Sequence, residues 1–258
     1  MSKLNKPDYQ EIPVSSCGGV HVLLALWERF DLTFLLTQSG IFKLRGAPTW
    51  KLAFLVVVGL ITRCSSCLQM IGLHAQETLL KVMLKERITQ SGLSRFLTRS
   101  YAWAEFNRRR VLRLQQDPDT ALQEGDVVAL DDSLVPHPYA KKIPFLFWLF
   151  DHCRRVHLWA SNLVAMHAVK QSGLEYPLFY ALWDNTRTKF DLALEMLRDL
   201  RAALPEKLRL WVSMDRWYFN KDFFWSLEDL HYDWVIKAKR NTVLYRLEQG
   251  KKKTVTSG

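Results

Sequence analysis

The chain has 258 residues, 48% of them hydrophobic and 12% aromatic, with 36 Lys and Arg against 26 Asp and Glu for a net charge of +10. This is enough apolar material for one large or two modest globular domains, and the basic balance points to a polyanionic partner. It argues against a membrane protein, since the longest apolar run, LAFLVVVGLI (52–61), has ten residues where a span needs about twenty. The opening MSKLNKPDYQEIP lacks the apolar centre of a secretory signal, so a cytoplasmic location is expected.

Residues 1–118 are expected to form a helical, DNA-binding region. Apolar residues recur every three or four positions in VHVLLALWERFDLTFLL, LAFLVVVGLI and LLKVMLKERI, the spacing of a helix face turned to a core. Gly40, Gly46 with Pro48, Gly72 and Gly92 punctuate them. The segment SRFLTRSYAWAEFNRRRVLRLQQ (94–116) loads Arg108, Arg109, Arg110 and Arg113 on a helix whose apolar side includes Trp103, Phe106 and Leu114. It reads as a DNA contact or as a solvated basic face. Residues 1–120 carry 16 Lys and Arg against 9 Asp and Glu, net +7; residues 121–258 carry 20 against 17, net +3. The basic excess therefore sits mainly in the first half.

Cys64 and Cys67 have CxxC spacing without a second pair, and Cys17 and Cys153 stand apart, which fits a structural thiol pair better than zinc or a disulfide framework. His74 and His152 have no ligand spacing and read as structural or surface residues.

The acidic, glycine-containing stretch DPDTALQEGD (117–126) reads as a domain connection. Beyond it, β-rich runs lead to a helix over 189–204, capped by Thr186 or Thr188 and closed before Pro205. A strand over 208–214, a helix over 221–230 and a strand over 233–239 complete an alternating α/β pattern over 119–258.

Two acidic sites interrupt this pattern where apolar runs stop: Asp131 and Asp132 after VVAL, and Asp215 after LRLWVSM. A carboxylate at a strand end projects from a rigid edge, and two on neighbouring strands can hold Mg2+ or Mn2+, hard cations that take oxygen ligands. A pair of such ions about 4 Å apart clamps the attacking and leaving oxygens of a phosphodiester. Aspartates that merely cap turns have the same appearance. Alternation along the strand puts Val127, Ala129 and Asp131 on one face and Asp132 on the other.

VVALDDS (127–133), followed by PHPYAKK (136–142), and MDRWYFNKDFFWSLEDLHYDWVIKAKRNTVLYR (214–246) resemble the two acidic blocks of the DDE transposases of bacterial insertion sequences. Between them FLFWLFDH, VHLWASNLVAM and LEYPLFYALW resemble the intervening strands. The resemblance implies a mixed α+β or α/β fold, a helical amino-terminal region followed by an incomplete ribonuclease-H-like mixed sheet with helices. It implies a metal-dependent endonuclease that cleaves and transfers strands at transposon ends, with a two-metal Mg2+ or Mn2+ site and with terminal-repeat and target DNA as partners. A homodimer and association with the nucleoid are compatible with it.

Carried across residue by residue, Asp131 matches the first catalytic acid, with Asp132 as the fallback, and Asp215 matches the second. The family's third acid, usually Glu, lies in a Tyr, two residues, Arg, three residues, Glu pattern that this sequence lacks. Glu248 is a weak candidate, its neighbours YRLEQGKKKTVTSG not reading as a long helix. The expectation is a chain truncated before its third acid and nearly inactive alone. A non-catalytic DNA-binding product that represses transposition, and a complete nuclease using Glu248, are the alternatives. Lys237, Lys239 and Arg240 are expected to hold DNA phosphates at the same edge, aided by Lys141 and Lys142. Trp217 is expected either to stack on a base or to cover the core.

Overall fold

A computed structural model describes residues 18–238, 245–248 and 251–254. Cys17, Lys239 and Arg240 lie outside the described residues. The chain divides into two compact units, 1–110 and 111–258.

The first unit is helical. The helically spaced run 20–36 forms two helices, α1 (Val20–Arg29) and α2 (Leu32–Gln38), because Asp31 turns left-handed at φ 52° between them. Trp27 Nε1 donates to Thr33 Oγ1 across this break at 2.9 Å. α3 (Thr49–Ile61) carries the long apolar run and is the centre of the unit's core, with Leu52, Phe54, Leu55 and Val58 fully buried. Gly59 lets α3 approach its neighbour α4 (Cys67–Gln76), since a Cβ there would lie 2.6 Å from Met70 Cγ. Cys64 and Cys67 are free thiols half-buried against this core. α5 (Thr78–Leu84), α6 (Gln90–Thr98) and α7 (Trp103–Gln116) follow; α6 and α7 are separate helices where the basic segment 94–116 suggested continuity. The boundary between units falls inside α7.

The second unit is built on a six-stranded mixed sheet. Its strands are β1 (Val127–Pro136), β2 (Phe147–Asp151), β3 (Val156–Val169), β4 (Glu175–Leu182), β5 (Leu210–Met214) and β6 (Tyr232–Ile236), in the order β2-β3-β1-β5-β6, with β4 also paired to β3. β3 is long enough to take β2 along its first half and β4 along its second, both antiparallel. β1 is antiparallel to β3 and parallel to β5, and β5 is parallel to β6. Four strands joined antiparallel, β1 to β4, are continued by the two parallel ones, β5 and β6, a mixed sheet with helices of the kind that the resemblance implied.

α8 (Lys189–Ala203) opens with a capping box, Thr188 Oγ1 accepting from the Asp191 amide while the Asp191 carboxylate accepts from Thr188. Thr188 is therefore the cap, and the Thr186 amide donates instead to Asp184. Asn220 caps α9 (Lys221–Asp229). Leu192, Leu197 and Leu200 of α8 and Phe223 and Leu227 of α9 share one core with Val128, Leu130, Val164, Val212 and Tyr232 of the sheet. The helices thus cover one sheet face. The stretch 117–126 is tied into this unit: Leu122 is buried, Lys170 Nζ donates to the Asp119 and Ala121 carbonyls, and the Asp126 carboxylate accepts from the Gln123 and Gln171 amides.

Candidate active site

Sheet register assembles the site. β1 and β5 run parallel from Val127 opposite Trp211 to Leu130 opposite Met214. β5 and β6 run parallel from Leu210 opposite Tyr232 to Met214 opposite Ile236. The residues that follow next in sequence are Asp131, Asp215 and Lys237, each one position past the last pair of the parallel ladder. Leu130 and Met214 are buried under the helices, so alternation turns Asp131 and Asp215 to the other face, where both are exposed. Lys237 is exposed beside them.

Asp131 is not at a strand end. β1 continues to Pro136 because β3 pairs with all ten of its residues, and only the parallel partner β5 stops at Met214. The apolar run ends at Leu130 because the parallel neighbour, and with it the full cover on the inner face, ends there. The carboxylate oxygen of Asp131 accepts from the Asp132 amide at 2.8 Å, and that of Asp215 from the Arg216 amide at 2.7 Å, which orients both acids through their own backbone.

Asp132 takes the inner face and is engaged there. Its Oδ2 accepts from Lys189 Nζ at 2.5 Å and from Asn162 Nδ2 at 3.0 Å, with Lys189 and Asp132 both largely shielded from solvent. Lys189 opens α8 and also lies over the Trp217 ring, 5.0 Å from its centroid. Trp217 stacks on Phe190 with centroids 4.9 Å apart and planes 17° from parallel, so one ring face is already covered although the residue is 41% exposed.

Tyr218 closes the 3-10 turn Arg216–Tyr218 that follows Asp215 and is completely buried. Its hydroxyl has no hydrogen-bond partner among the described residues. Burial pushes the phenol well above its ordinary range, and the charges of Asp132, Asp131 and Asp215 push the same way. All three carboxylates therefore act on one buried side chain.

Two exposed carboxylates that directly follow the last pair of a parallel ladder are a hard-oxygen donor pair suited to Mg2+ or Mn2+. Among the described residues no group of three or more His, Cys, Asp and Glu is placed to hold a metal ion. Glu248 ends β7 (Tyr245–Glu248), whose backbone pairs with β8 (Lys251–Thr254) in a two-stranded sheet of its own.

Lys141 and Lys142 are exposed in the connection between β1 and β2, past the far end of β1. On α7, Arg109 pairs with Glu105 at 2.7 Å and Arg110 donates to Asn107 Oδ1 at 2.8 Å, with Arg108 at 4.0 Å from Glu105. Arg113 lies in the last turn of that helix. Asn162, Lys189 and Tyr218 were missed by sequence reasoning. Asn162, a polar residue inside the apolar run VHLWASNLVAM and 2% exposed, was the one with a signal.

No helix among the described residues is long and apolar enough to cross a membrane. No curated protein sequence matches the chain. Among solved structures, the piggyBac transposase synaptic complex with hairpin DNA is 15% identical over 55% of this chain and 27% of its own, with a TM-score of 0.37. The Drosophila P element transposase strand transfer complex is 13% identical over 90% of this chain and 53% of its own, with a TM-score of 0.35. The Mos1 strand transfer complex is 15% identical over 90% of this chain and 69% of its own, with a TM-score of 0.29. The alignments thus span about a quarter and about half of the first two proteins, and TM-scores below 0.5 are too low to carry a fold or a function over. The family described as "Transposase DDE domain" matches residues 122–257, which include the whole six-stranded sheet, both of its helices and both exposed aspartates. The chain belongs to that family.

Proposed function

We propose that Asp131 and Asp215 are paired metal-binding carboxylates of a site that cleaves DNA strands and transfers them at transposon ends. The observation that supports this reading is the register that ends the parallel ladder at Leu130 and Met214, directly before two exposed aspartates, within a transposase DDE domain. Divalent metal, which DDE transposases use, would be held by these two residues and would supply Lewis-acid stabilisation of the attacking and leaving oxygens.

The remaining residues have supporting roles. Asp132 is a positioning residue that ties β1 to the start of α8 through Lys189 and so fixes the neighbouring Asp131. Lys237 offers a positive charge beside the acids for a DNA phosphate, and Lys239 and Arg240 continue that charge along the sequence. Lys141, Lys142 and the arginines Arg108, Arg109, Arg110 and Arg113 are further phosphate contacts, and terminal-repeat and target DNA are the partners. Cleavage by this chain alone is slow on this reading, because the described residues place no third carboxylate with the pair and a catalytic unit missing one member loses orders of magnitude in rate.

The test is conversion of supercoiled plasmid carrying the DNA that flanks this reading frame to nicked circle, in Mg2+ and in Mn2+. Asp131→Asn and Asp215→Asn each lower the rate by about 100-fold or more, whereas Asp132→Asn and Glu248→Gln act far less. Nicking that survives both Asp131→Asn and Asp215→Asn overturns the assignment. A requirement for Glu248 would instead establish a complete nuclease. Metal-independent DNA binding without any nicking would establish a non-catalytic product that occupies transposon ends.

A further inference from the structure

The helical unit contains a cavity of about 720 Å3, within the size range of ligand-binding clefts. Lys43, Arg45, Arg87, Arg95, Arg99 and Tyr101 line it, and among the described residues no Asp or Glu does. Four arginines and a lysine repel one another across such a space unless an anion joins them. Their positions make this an assembled feature rather than a stripe on one helix: Lys43 and Arg45 come from the segment between α2 and α3, Arg87 from the segment between α5 and α6, Arg95 from α6, and Arg99 from the segment after it.

The cationic groups at the cavity have few partners among the described residues. All four arginines are exposed. Arg95 donates through Nε to the Ser91 carbonyl of its own helix, which leaves the rest of its guanidinium to reach outward. Arg99 sits over the ring of Tyr101, 5.3 Å from its centroid, a stacked placement that holds the cation without neutralising it. The Tyr101 hydroxyl is buried and has no hydrogen-bond partner among the described residues. Thr89 and Gly92, the cap and first turn of α6, also line the cavity, so the positive end of a nine-residue helix faces it.

We infer that this cavity is a binding site for the phosphate backbone of DNA, a site separate from the carboxylate pair and from the arginines of α7. A single small anion is satisfied by one or two guanidinium forks; five spread cations suit a chain of phosphates, each neutralised by its own cation with release of counterions. The half-buried α7 arginines Arg109 and Arg110 are already engaged with Glu105 and Asn107, whereas the cavity offers a concave surface free of acids among the described residues. The inference rests on the transposase reading only for its choice of DNA as the polyanion.

The experiment is fluorescence anisotropy of a labelled duplex of about 20 base pairs with the full chain in EDTA, over a salt series, so that no cleavage step enters. The triple variant Arg87→Ala, Arg95→Ala, Arg99→Ala is expected to bind at least about tenfold more weakly and to lose about three units of the log–log salt slope, one per phosphate contact. A retained melting transition shows that these surface changes leave the unit folded. Neither Asp131→Asn nor Asp215→Asn weakens this binding, and the triple variant loses as much affinity in either background, so failure of the metal site and failure of the cavity are distinguishable. Wild-type affinity and slope in the triple variant overturn the inference, as does a wild-type chain that binds no duplex. Competition by inorganic phosphate as effective as competition by duplex, compared per phosphate, also overturns it and marks a small-anion pocket instead.

Discussion

The two units of this chain handle charge in opposite ways. In the sheet unit the informative groups are carboxylates, and hydrogen-bond register brings them near: Leu130 is opposite Met214, and Asp131 and Asp215 are the residues that follow. In the helical unit the informative groups are cations, brought to one cavity from two interhelical segments, a helix and the residues after it, between Lys43 and Arg99. A parallel ladder transmits position from one strand to the next with little freedom, whereas segments between helices converge only once the whole helical core has packed. The difference matters functionally. Metal-dependent phosphoryl transfer needs ligands held to fractions of an ångström, and phosphate-backbone binding needs only accumulated positive charge within reach.

Acidification separates the units most strongly. His74 in α4 is buried, its Nε2 has no partner among the described residues, and desolvation, assisted by the Lys81 charge, holds its pKa below the ordinary 6.5. Above pH 6.5 both folded and unfolded chains keep it neutral; as the pH falls below 6.5 the unfolded chain takes up a proton that the folded unit resists, so stability is lost. The helical unit is therefore expected to melt at lower temperature as the pH is lowered from about 7.5 to about 5.5, each kcal/mol lost corresponding to roughly 4–8 °C in a unit of this size. His74→Leu flattens that decline, measured by circular dichroism. An equally steep decline in His74→Leu would show that other groups titrate.

A smaller effect is expected in the sheet unit. The Tyr218 hydroxyl is buried, unpartnered and surrounded by the charges of Asp132, Asp131 and Asp215. Removing a buried donor that makes no bond recovers its desolvation cost, so Tyr218→Phe should stabilise the unit by up to about 1 kcal/mol in denaturant unfolding. Destabilisation by a similar amount would mean that the hydroxyl makes a bond in solution that holds the carboxylates in place.

These contrasts also explain what could be read from the sequence. The alternation of apolar runs with aspartates at their ends announced the sheet and both exposed acids, because a strand's period of two and its solvent-facing positions are written locally. That Asp131 lies within a ten-residue strand was not legible, since the strand continues by pairing with β3, some thirty residues away. Asp132 could not be separated from Asp131 by chemistry alone; its engagement by Lys189 depends on where α8 begins relative to β1. The arginine run of α7 drew attention as a contiguous block, yet its members pair along their own helix, while the dispersed Arg45, Arg87, Arg95 and Arg99 carry no local signal of converging.

The account stands or falls on whether Asp131 and Asp215 form one cation site that Asp132 does not share. Titration of Mn2+ into the full chain, followed by loss of the free-ion electron paramagnetic resonance signal, measures this without reference to cleavage. Saturable binding that disappears in Asp131→Asn and in Asp215→Asn, and persists in Asp132→Asn, is the predicted result. Binding that survives loss of either exposed aspartate, or that depends on Asp132 alone, would contradict it.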